Sequence, residues 1–266
     1  MNSTSAFSNK VAVITGAGSG IGRALAVQLA DSGARLALAG LTQSGLDETV
    51  GLLPAKTIAT TYSLDVSSRE DYQVFVQQVV SDHGQIDIVI NNAGIVRLHS
   101  IDQGSYEDYE KTFDTNVWGV LYGCKEFMPY LKQSPQAWLV NVSSGAGLVG
   151  IANYSSYNMS KFAVRGLTES LRNELRDTNI YVSCVHPGGV STNIQKTGEH
   201  SDDARESVQK LQAATEQMTA EEAAGIILRD MARGKKRILV GRDVRILDVV
   251  ARQLPSAYDR IVARYV

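Results

Sequence analysis

Val11-Ala12-Val13-Ile14-Thr15-Gly16-Ala17-Gly18-Ser19-Gly20-Ile21-Gly22 runs from an unbroken apolar stretch through a glycine-rich turn into a segment with helical periodicity that reaches Ser32. A strand of strand length, a turn rich in glycine and an amphipathic helix, in that order, open a βαβ unit. The glycines let the backbone turn tightly and approach a pyrophosphate, while free N–H groups and the helix dipole favour the anion. The stretch therefore predicts both a parallel sheet and a place on it for a phosphorylated ligand.

Working outward from it, the chain alternates. Short apolar runs at Arg35 to Ala39, Thr57 to Tyr62, Ile86 to Ile90, Ala137 to Val142, Ile180 to Val185 and Arg237 to Val240 read as strands. Helical periodicity fills Ile21 to Ser32, Gly45 to Leu52, Arg69 to His83, Asp114 to Leu131, Ser160 to Arg176 and Thr219 to Arg233. Such alternation predicts an α/β fold, a seven-stranded parallel sheet with helices on both faces and right-handed crossovers. Near-continuous apolar runs such as Ile86-Asp87-Ile88-Val89-Ile90 suit a sheet covered on both sides. No linker or repeat divides the chain, so residues 10–266 read as one domain behind a flexible polar start at 1–9. Two segments stand apart. Residues 193–217 are polar and helix-prone and form a candidate substrate lid, with a solvated surface helix as the alternative. Residues 242–264 form a C-terminal helix whose apolar face is expected to cover the core, then to meet a second subunit, then to touch a membrane surface, in that order.

Composition narrows the function classes. The formal charge of −2, with acids and bases mixed along 266 residues, offers no basic field for nucleic acid. Cys124 and Cys184 lack metal or redox spacing and read as buried free thiols. His83, His99, His186 and His200 are scattered, so no metal site is expected. Neither a signal peptide nor a stretch of transmembrane length is legible, and the expected location is cytoplasmic.

Gly16, Gly20 and Gly22 are spaced as TGxxxGxG, and with that spacing the chain resembles the short-chain dehydrogenases/reductases. Further matches follow in order. Asn91-Asn92-Ala93-Gly94 resembles the family's NNAG motif, Asp65-Val66 the pair that contacts adenine, and Pro187-Gly188-Gly189-Val190-Ser191-Thr192 the segment that holds the nicotinamide carboxamide. The resemblance covers roughly residues 10 to 240 and implies a doubly wound, Rossmann-type sheet. The cofactor site it implies comprises Gly16, Ser19, Gly20, Ile21, Gly22, Gly40, Leu41, Thr42, Asp65, Val66, Asn92, Ala93, Gly94, Tyr157, Lys161, Pro187, Gly188, Val190 and Thr192.

Tyr157 and Lys161 stand four apart, on one face of a helix within a turn. An ammonium beside a phenol favours the phenolate, and the pairing is expected to draw the pKa of Tyr157 down toward the operating pH. Ser144 lies thirteen residues before Tyr157, where a strand-end hydroxyl can face a crevice; Ser143 is its rival. In the family the matching serine orients the carbonyl, and the residue matching Asn116 supports a water-linked proton path from the lysine. The resemblance thus implies hydride transfer between a nicotinamide and a carbonyl/alcohol pair, with Ser144, Tyr157, Lys161 and Asn116 as the catalytic set and Tyr157 handling the proton. The oligomeric relatives imply self-association through the helices near Asp114 to Leu131 and Ser160 to Arg176.

Cofactor choice turns on Gly40, where NAD-using relatives carry an Asp for the adenosine ribose. Its absence, with Thr42 nearby, favours NADP(H) over NAD(H), although no Arg stands at Leu41 and no basic residue at Ser19. Ile95, Val96, Leu148, Val149, Tyr154 and Ile194 are candidates for an apolar substrate pocket, with core packing as the competing explanation. A non-catalytic dinucleotide-binding regulator on the same fold is the main alternative. A nucleotide-sugar epimerase needs a larger C-terminal domain, and a methyltransferase leaves Tyr157 and Lys161 unexplained.

Overall fold

A computed structural model describes residues 6–191 and 218–262. Its centre is a seven-stranded parallel sheet in the order β3-β2-β1-β4-β5-β6-β7. The strands are β1 (Val11–Thr15), β2 (Arg35–Gly40), β3 (Ala59–Ser63), β4 (Ile88–Asn91), β5 (Ala137–Val142), β6 (Ile180–Pro187) and β7 (Arg237–Val240). Every residue of β1 and β5 is buried, as strands covered on both faces require. Val13 pairs with Ala37 on one side and Val89 on the other, so β1 and β4 are neighbours although two strands separate them in sequence. The strand order reverses there, and in such sheets the crevice beyond the strand C-termini at the reversal is where ligands bind.

Alternate residues of the strands feed two cores. One face sets Ile14, Leu36, Ile88 and Val140 against Leu25 and Leu29 of α1 (Gly20–Asp31), joined there by residues far along the chain, Ile227 and Met231. The other sets Val13, Ala37, Val89 and Leu139 against Tyr72, Phe75 and Val79 of α3 (Arg69–His83), which follows α2 (Gln43–Gly51). Helix α3 shows how local chemistry bounds an element: Ser68 accepts a hydrogen bond from the Asp71 amide at its start, and Gly84 at φ 73° ends it.

The expected helix from Asp114 to Leu131 is instead several pieces. Helix α4 (Tyr106–Phe113) begins eight residues earlier, at a capping box in which Ser105 and Asp108 bond each other's backbone. It passes through a π-helical turn (Asp114–Trp118) into α5 (Gly119–Glu126), and α6 (Met128–Leu131) restarts with a proline in its first turn. Helix α7 runs Ser155–Glu174 rather than from Ser160, and strands β3, β4 and β6 end one or two residues later than expected. Helix α8 (Ala220–Ala232) precedes β7.

The first nine residues were expected to be loose. Among those described, Phe7 is 1% exposed and packs edge-on against Trp138 at 5.4 Å, while the Asn9 amide donates to the Gly33 carbonyl. A polar stretch thus hides one aromatic anchor. The C-terminal segment divides into α9 (Arg242–Gln253) and α10 (Tyr258–Val262) around Pro255. The inner face of α9 covers the core, with Val244 and Leu247 against Leu148 and Val149. Asp248, on the buried face of α9, pairs with Arg237 of β7 and Arg252. Residues 263–264 of the expected helix lie outside the described residues. Cys124 and Cys184 are free and buried. Among the described residues no helix is long and apolar enough to cross a membrane.

Candidate active site

Parallel strands deliver all their C-terminal ends to one edge, and the predicted residues collect there. After β1 the chain turns at Gly16 with φ 65° and enters α1 at Gly20 with φ 51°. A Cβ on Gly16 would sit 2.9 Å from Ala93 Cα, and one on Gly22 only 2.2 Å from the Gly16 carbonyl oxygen, so neither position has room for a side chain. Ser19 precedes α1 in extended conformation without a side-chain cap, which leaves the first-turn N–H groups open to an anion. These features fit a pyrophosphate. Ile21 is half-buried beneath the turn.

Asn92 fastens that turn to β4. Its Nδ2 donates to the carbonyls of Thr15 (2.9 Å) and Gly16 (3.3 Å), while Thr15 Oγ1 accepts from the amides of Asn92 and Ala93. After β2, Gly40 is buried, Leu41 is 72% exposed and Thr42 is exposed at the start of α2. Arg23, absent from the sequence reading, donates to the Gly18 carbonyl and pairs with Glu48 at 2.6 Å, so the cation beside this turn is already neutralised. Asp65 is exposed and folds back to accept from Ser67, and Val66 is buried against Gly119.

After β6, Gly188 takes its amide to the Val240 carbonyl, and Gly189 donates to Asp243 Oδ2 at 2.9 Å. A Cβ on Gly188 would lie 2.2 Å from that carboxylate. Asp243, in the first turn of α9, therefore shapes the segment predicted to meet the nicotinamide, a role that only the fold makes visible. Val190 bridges to Met218. Thr192, Ile194 and the proposed lid at 193–217 lie outside the described residues.

The catalytic candidates meet where β5 and α7 adjoin. Ser144 follows β5, and its hydroxyl lies close enough to the Tyr157 phenol to lower that group's pKa. Ser143 is 2% exposed and donates to the Lys161 carbonyl at 2.8 Å, so its hydroxyl is already engaged. Lys161, 3% exposed, reaches back with Nζ to the Val142 carbonyl at 3.1 Å and lies 5.5 Å from the Tyr157 ring centre. Asn116 sits within the π-helical turn, an irregularity that recurs at functional sites. It donates to the Ile95 carbonyl (2.9 Å) and Ser160 Oγ (3.1 Å) and accepts from the Ile95 amide (2.8 Å). A Cβ on Gly94 would meet both Asn116 Oδ1 at 3.1 Å and Lys161 Nζ at 3.4 Å, so three predicted residues close on one point.

Electrostatics depart from expectation in one respect. Burial pushes the Tyr157 phenol up to about 12, against a smaller pull downward from its hydrogen bond to Ser144. Burial also drives Lys161 down to about 8. The anticipated lowering of the phenol by the ammonium is overridden, because losing water disfavours both charged forms. Near pH 7 Tyr157 keeps its proton and Lys161 remains mostly charged. Of the pocket candidates, Val96 and Tyr154 pack with Tyr157, Ile95 is half-buried, and Leu148 and Val149 are buried under α9 as core.

The family model described as short chain dehydrogenase matches residues 10–203. A Mycobacterium tuberculosis protein named as an oxidoreductase, SadH, is 39% identical over 264 residues, covering 97% of this chain and 96% of its own. A short-chain dehydrogenase/reductase from Burkholderia phymatum, solved in complex with NAD, superposes with a TM-score of 0.86 at 30% identity, covering 93% of this chain and 94% of its own. Levodione reductase superposes with a TM-score of 0.78 at 27% identity, over 88% of this chain and 96% of its own.

His186, beneath Ser144, gives a pH test of this arrangement. Its Nδ1 hydrogen-bonds the Ser144 carbonyl at 3.0 Å, and burial lowers its pKa from 6.5 to about 4. The unfolded chain therefore binds the proton first as pH falls, so stability is complete above 6.5 and lost on descent to about 4. Urea titrations are expected to show about 3 kcal/mol of loss across that window from this residue, and His186→Gln to remove that share. An unchanged slope in the variant contradicts the assignment.

Proposed function

This chain belongs to the short-chain dehydrogenase family, and on that premise we propose that it is a nicotinamide-dependent oxidoreductase acting on a ketone, aldehyde or secondary alcohol of mainly apolar character. The observation that carries this reading is the convergence of three side chains: the Ser144 hydroxyl close enough to the Tyr157 phenol to lower its pKa, and Lys161 Nζ 5.5 Å from the Tyr157 ring centre. A regulator that only binds a dinucleotide has no need of a phenol so placed.

The turn from Gly16 to Gly22 would hold the pyrophosphate, Gly40, Leu41 and Thr42 the adenosine ribose, and Asp65 and Val66 the adenine. Asn92, Ala93 and Gly94 would flank the cofactor, Lys161 would hold its nicotinamide ribose, and Pro187, Gly188, Val190 and Thr192 would receive the carboxamide. When bound, the nicotinamide supplies or accepts the hydride. Ser144 Oγ donates to the substrate oxygen, and Tyr157 Oη gives that oxygen its proton in reduction or takes it in oxidation. Burial keeps the Tyr157 phenol protonated at neutral pH, the form that donates in the reductive direction. Lys161 keeps positive charge near the phenolate left behind, and Asn116 holds the Ile95 backbone and the hydroxyl of Ser160, the residue before the lysine.

We assign NADP(H) ahead of NAD(H), because Gly40 leaves no carboxylate to repel a 2′-phosphate; NAD(H) is the second reading, supported by the NAD held in the Burkholderia phymatum relative. Self-association through the π-helical turn with α5, and through α7, belongs to the same proposal, since Trp118, Met159 and Phe162 are exposed there. Sedimentation showing only monomer at micromolar concentration contradicts it.

Titration of the protein with NADPH and NADH, followed by reduced-nicotinamide fluorescence and then a panel of apolar ketones, tests the whole. Wild type is expected to bind and oxidise one of them, NADPH the more tightly, and Tyr157→Phe to bind it with turnover lower by a factor on the order of 10²–10⁴. Gly40→Asp should shift the NADPH/NADH ratio of kcat/KM about tenfold or more toward NADH, at the cost of displacing Leu46, whose Cδ2 lies 3.2 Å from the new Cβ. Binding without turnover of any carbonyl or alcohol favours the regulator, and an unshifted ratio removes the role given to Gly40.

A further inference from the structure

Tyr154 stands three residues before Tyr157, at the start of α7. It is 3% exposed, and its hydroxyl is buried without a hydrogen-bond partner. Other tyrosine hydroxyls in this structure do find one: Tyr109 meets Ser155 Oγ at 2.6 Å, Tyr62 donates to Asp82 at 2.7 Å, and Tyr72 donates to Asn91 at 3.4 Å. Packing alone does not account for the hydroxyl at 154. The ring lies among Val96, Leu98, Ile151 and Tyr157, where the ring of a phenylalanine makes the same contacts without burying an unpaired oxygen.

A second orphan lies one turn on. Asn158 spends its Nδ2 on the Ile151 carbonyl at 2.9 Å, and its Oδ1 is buried without a partner. Residues 154 and 158 thus bracket Tyr157 on the helix, each with an unmet hydrogen-bonding atom. The two tyrosine rings meet edge-on with centres 6.4 Å apart, so the orphan phenol is a direct neighbour of the one assigned the proton transfer. Buried polar atoms are rarely left unpaired, and beside the phenol assigned the proton transfer the missing partner is naturally one that the ligand brings. A site built this way favours a substrate that satisfies the hydroxyl over an analogue that cannot.

We propose that Tyr154 Oη is a substrate-recognition group that selects carbonyl compounds bearing a second oxygen, a carbonyl or hydroxyl, within a few bonds of the reacting carbon. The inference rests on the oxidoreductase reading above and narrows its substrate class. The second oxygen accepts a hydrogen bond from Tyr154 while the reacting oxygen engages Ser144 and Tyr157. The Asn158 amide oxygen is placed to accept where that second group is a hydroxyl.

The test compares diacetyl with butanone, which has the same carbon chain and one carbonyl fewer, for wild type and Tyr154→Phe with the preferred reduced nicotinamide. Wild type is expected to favour diacetyl, and Tyr154→Phe to lower the diacetyl/butanone ratio of kcat/KM about tenfold, chiefly through the KM for diacetyl. The thermal midpoint of the variant should equal or exceed that of wild type, because an unpaired buried hydroxyl has been removed. Equal losses on both substrates together with a lowered midpoint mark a purely structural tyrosine and overturn the inference. So does a ratio that does not move. A wild type that reduces neither these two nor any other carbonyl overturns the oxidoreductase reading, and the inference falls with it; activity confined to mono-ketones overturns the inference alone.

Discussion

The Asn92 side chain is the constraint on which the rest of this structure turns. A parallel sheet that reverses its strand order between β1 and β4 leaves two chain segments side by side at the C-terminal edge, each with backbone groups that have run out of ladder partners. Asn92 and Thr15 satisfy them reciprocally: the amide takes the carbonyls of residues 15 and 16, and the threonine hydroxyl takes the amides of 92 and 93. Gly22 must then pass against the Asn92 side chain, with room for nothing beyond hydrogen. One clasp therefore sets the curvature of the glycine turn and the path of residues 92–94 beside it.

A second set of buried polar contacts carries that order to the reacting groups. Asn91 donates to Asn141 across the β4–β5 pair, and Asn141 donates to Thr168 on α7. Two more contacts tie α7 to the end of β5, from Lys161 to the Val142 carbonyl and from Ser143 to the Lys161 carbonyl. A helix held at Ser143, Val142 and Asn141 has little freedom to slide, which fixes Tyr157 against Ser144. In an interior of low effective dielectric such hydrogen bonds are strong and their loss is costly, so the site inherits the rigidity of the sheet.

Much of this was legible in the residues. The alternation of apolar runs and helical stretches sufficed for the parallel sheet, and the spacing of Gly16, Gly20 and Gly22, with Tyr157 four before Lys161, located the crevice. What escaped reading has specific causes. A π-helical turn differs from an α-helix by one residue, and periodicity over Asp114 to Leu131 cannot register it. The capping box at Ser105 and Asp108 that starts α4 lies ahead of the apolar periodicity from which the helix was read. Phe7, Asp243 and His186 act through partners at Trp138, Gly189 and Ser144, far away in sequence, so only the fold joins them. The pKa of Tyr157 goes the other way from expectation because burial, which pairwise spacing does not encode, is the largest influence on it.

The central claim is that this edge of the sheet carries direct hydride transfer to a carbonyl carbon, with the proton handled separately by Tyr157. The most direct measurement is a single turnover with reduced nicotinamide deuterated at both C4 positions, followed by mass spectrometry of the alcohol formed. The account predicts one deuterium, bonded to the former carbonyl carbon, in the wild-type product. An alcohol formed without deuterium at that carbon, or a dinucleotide that binds and is never oxidised, contradicts it.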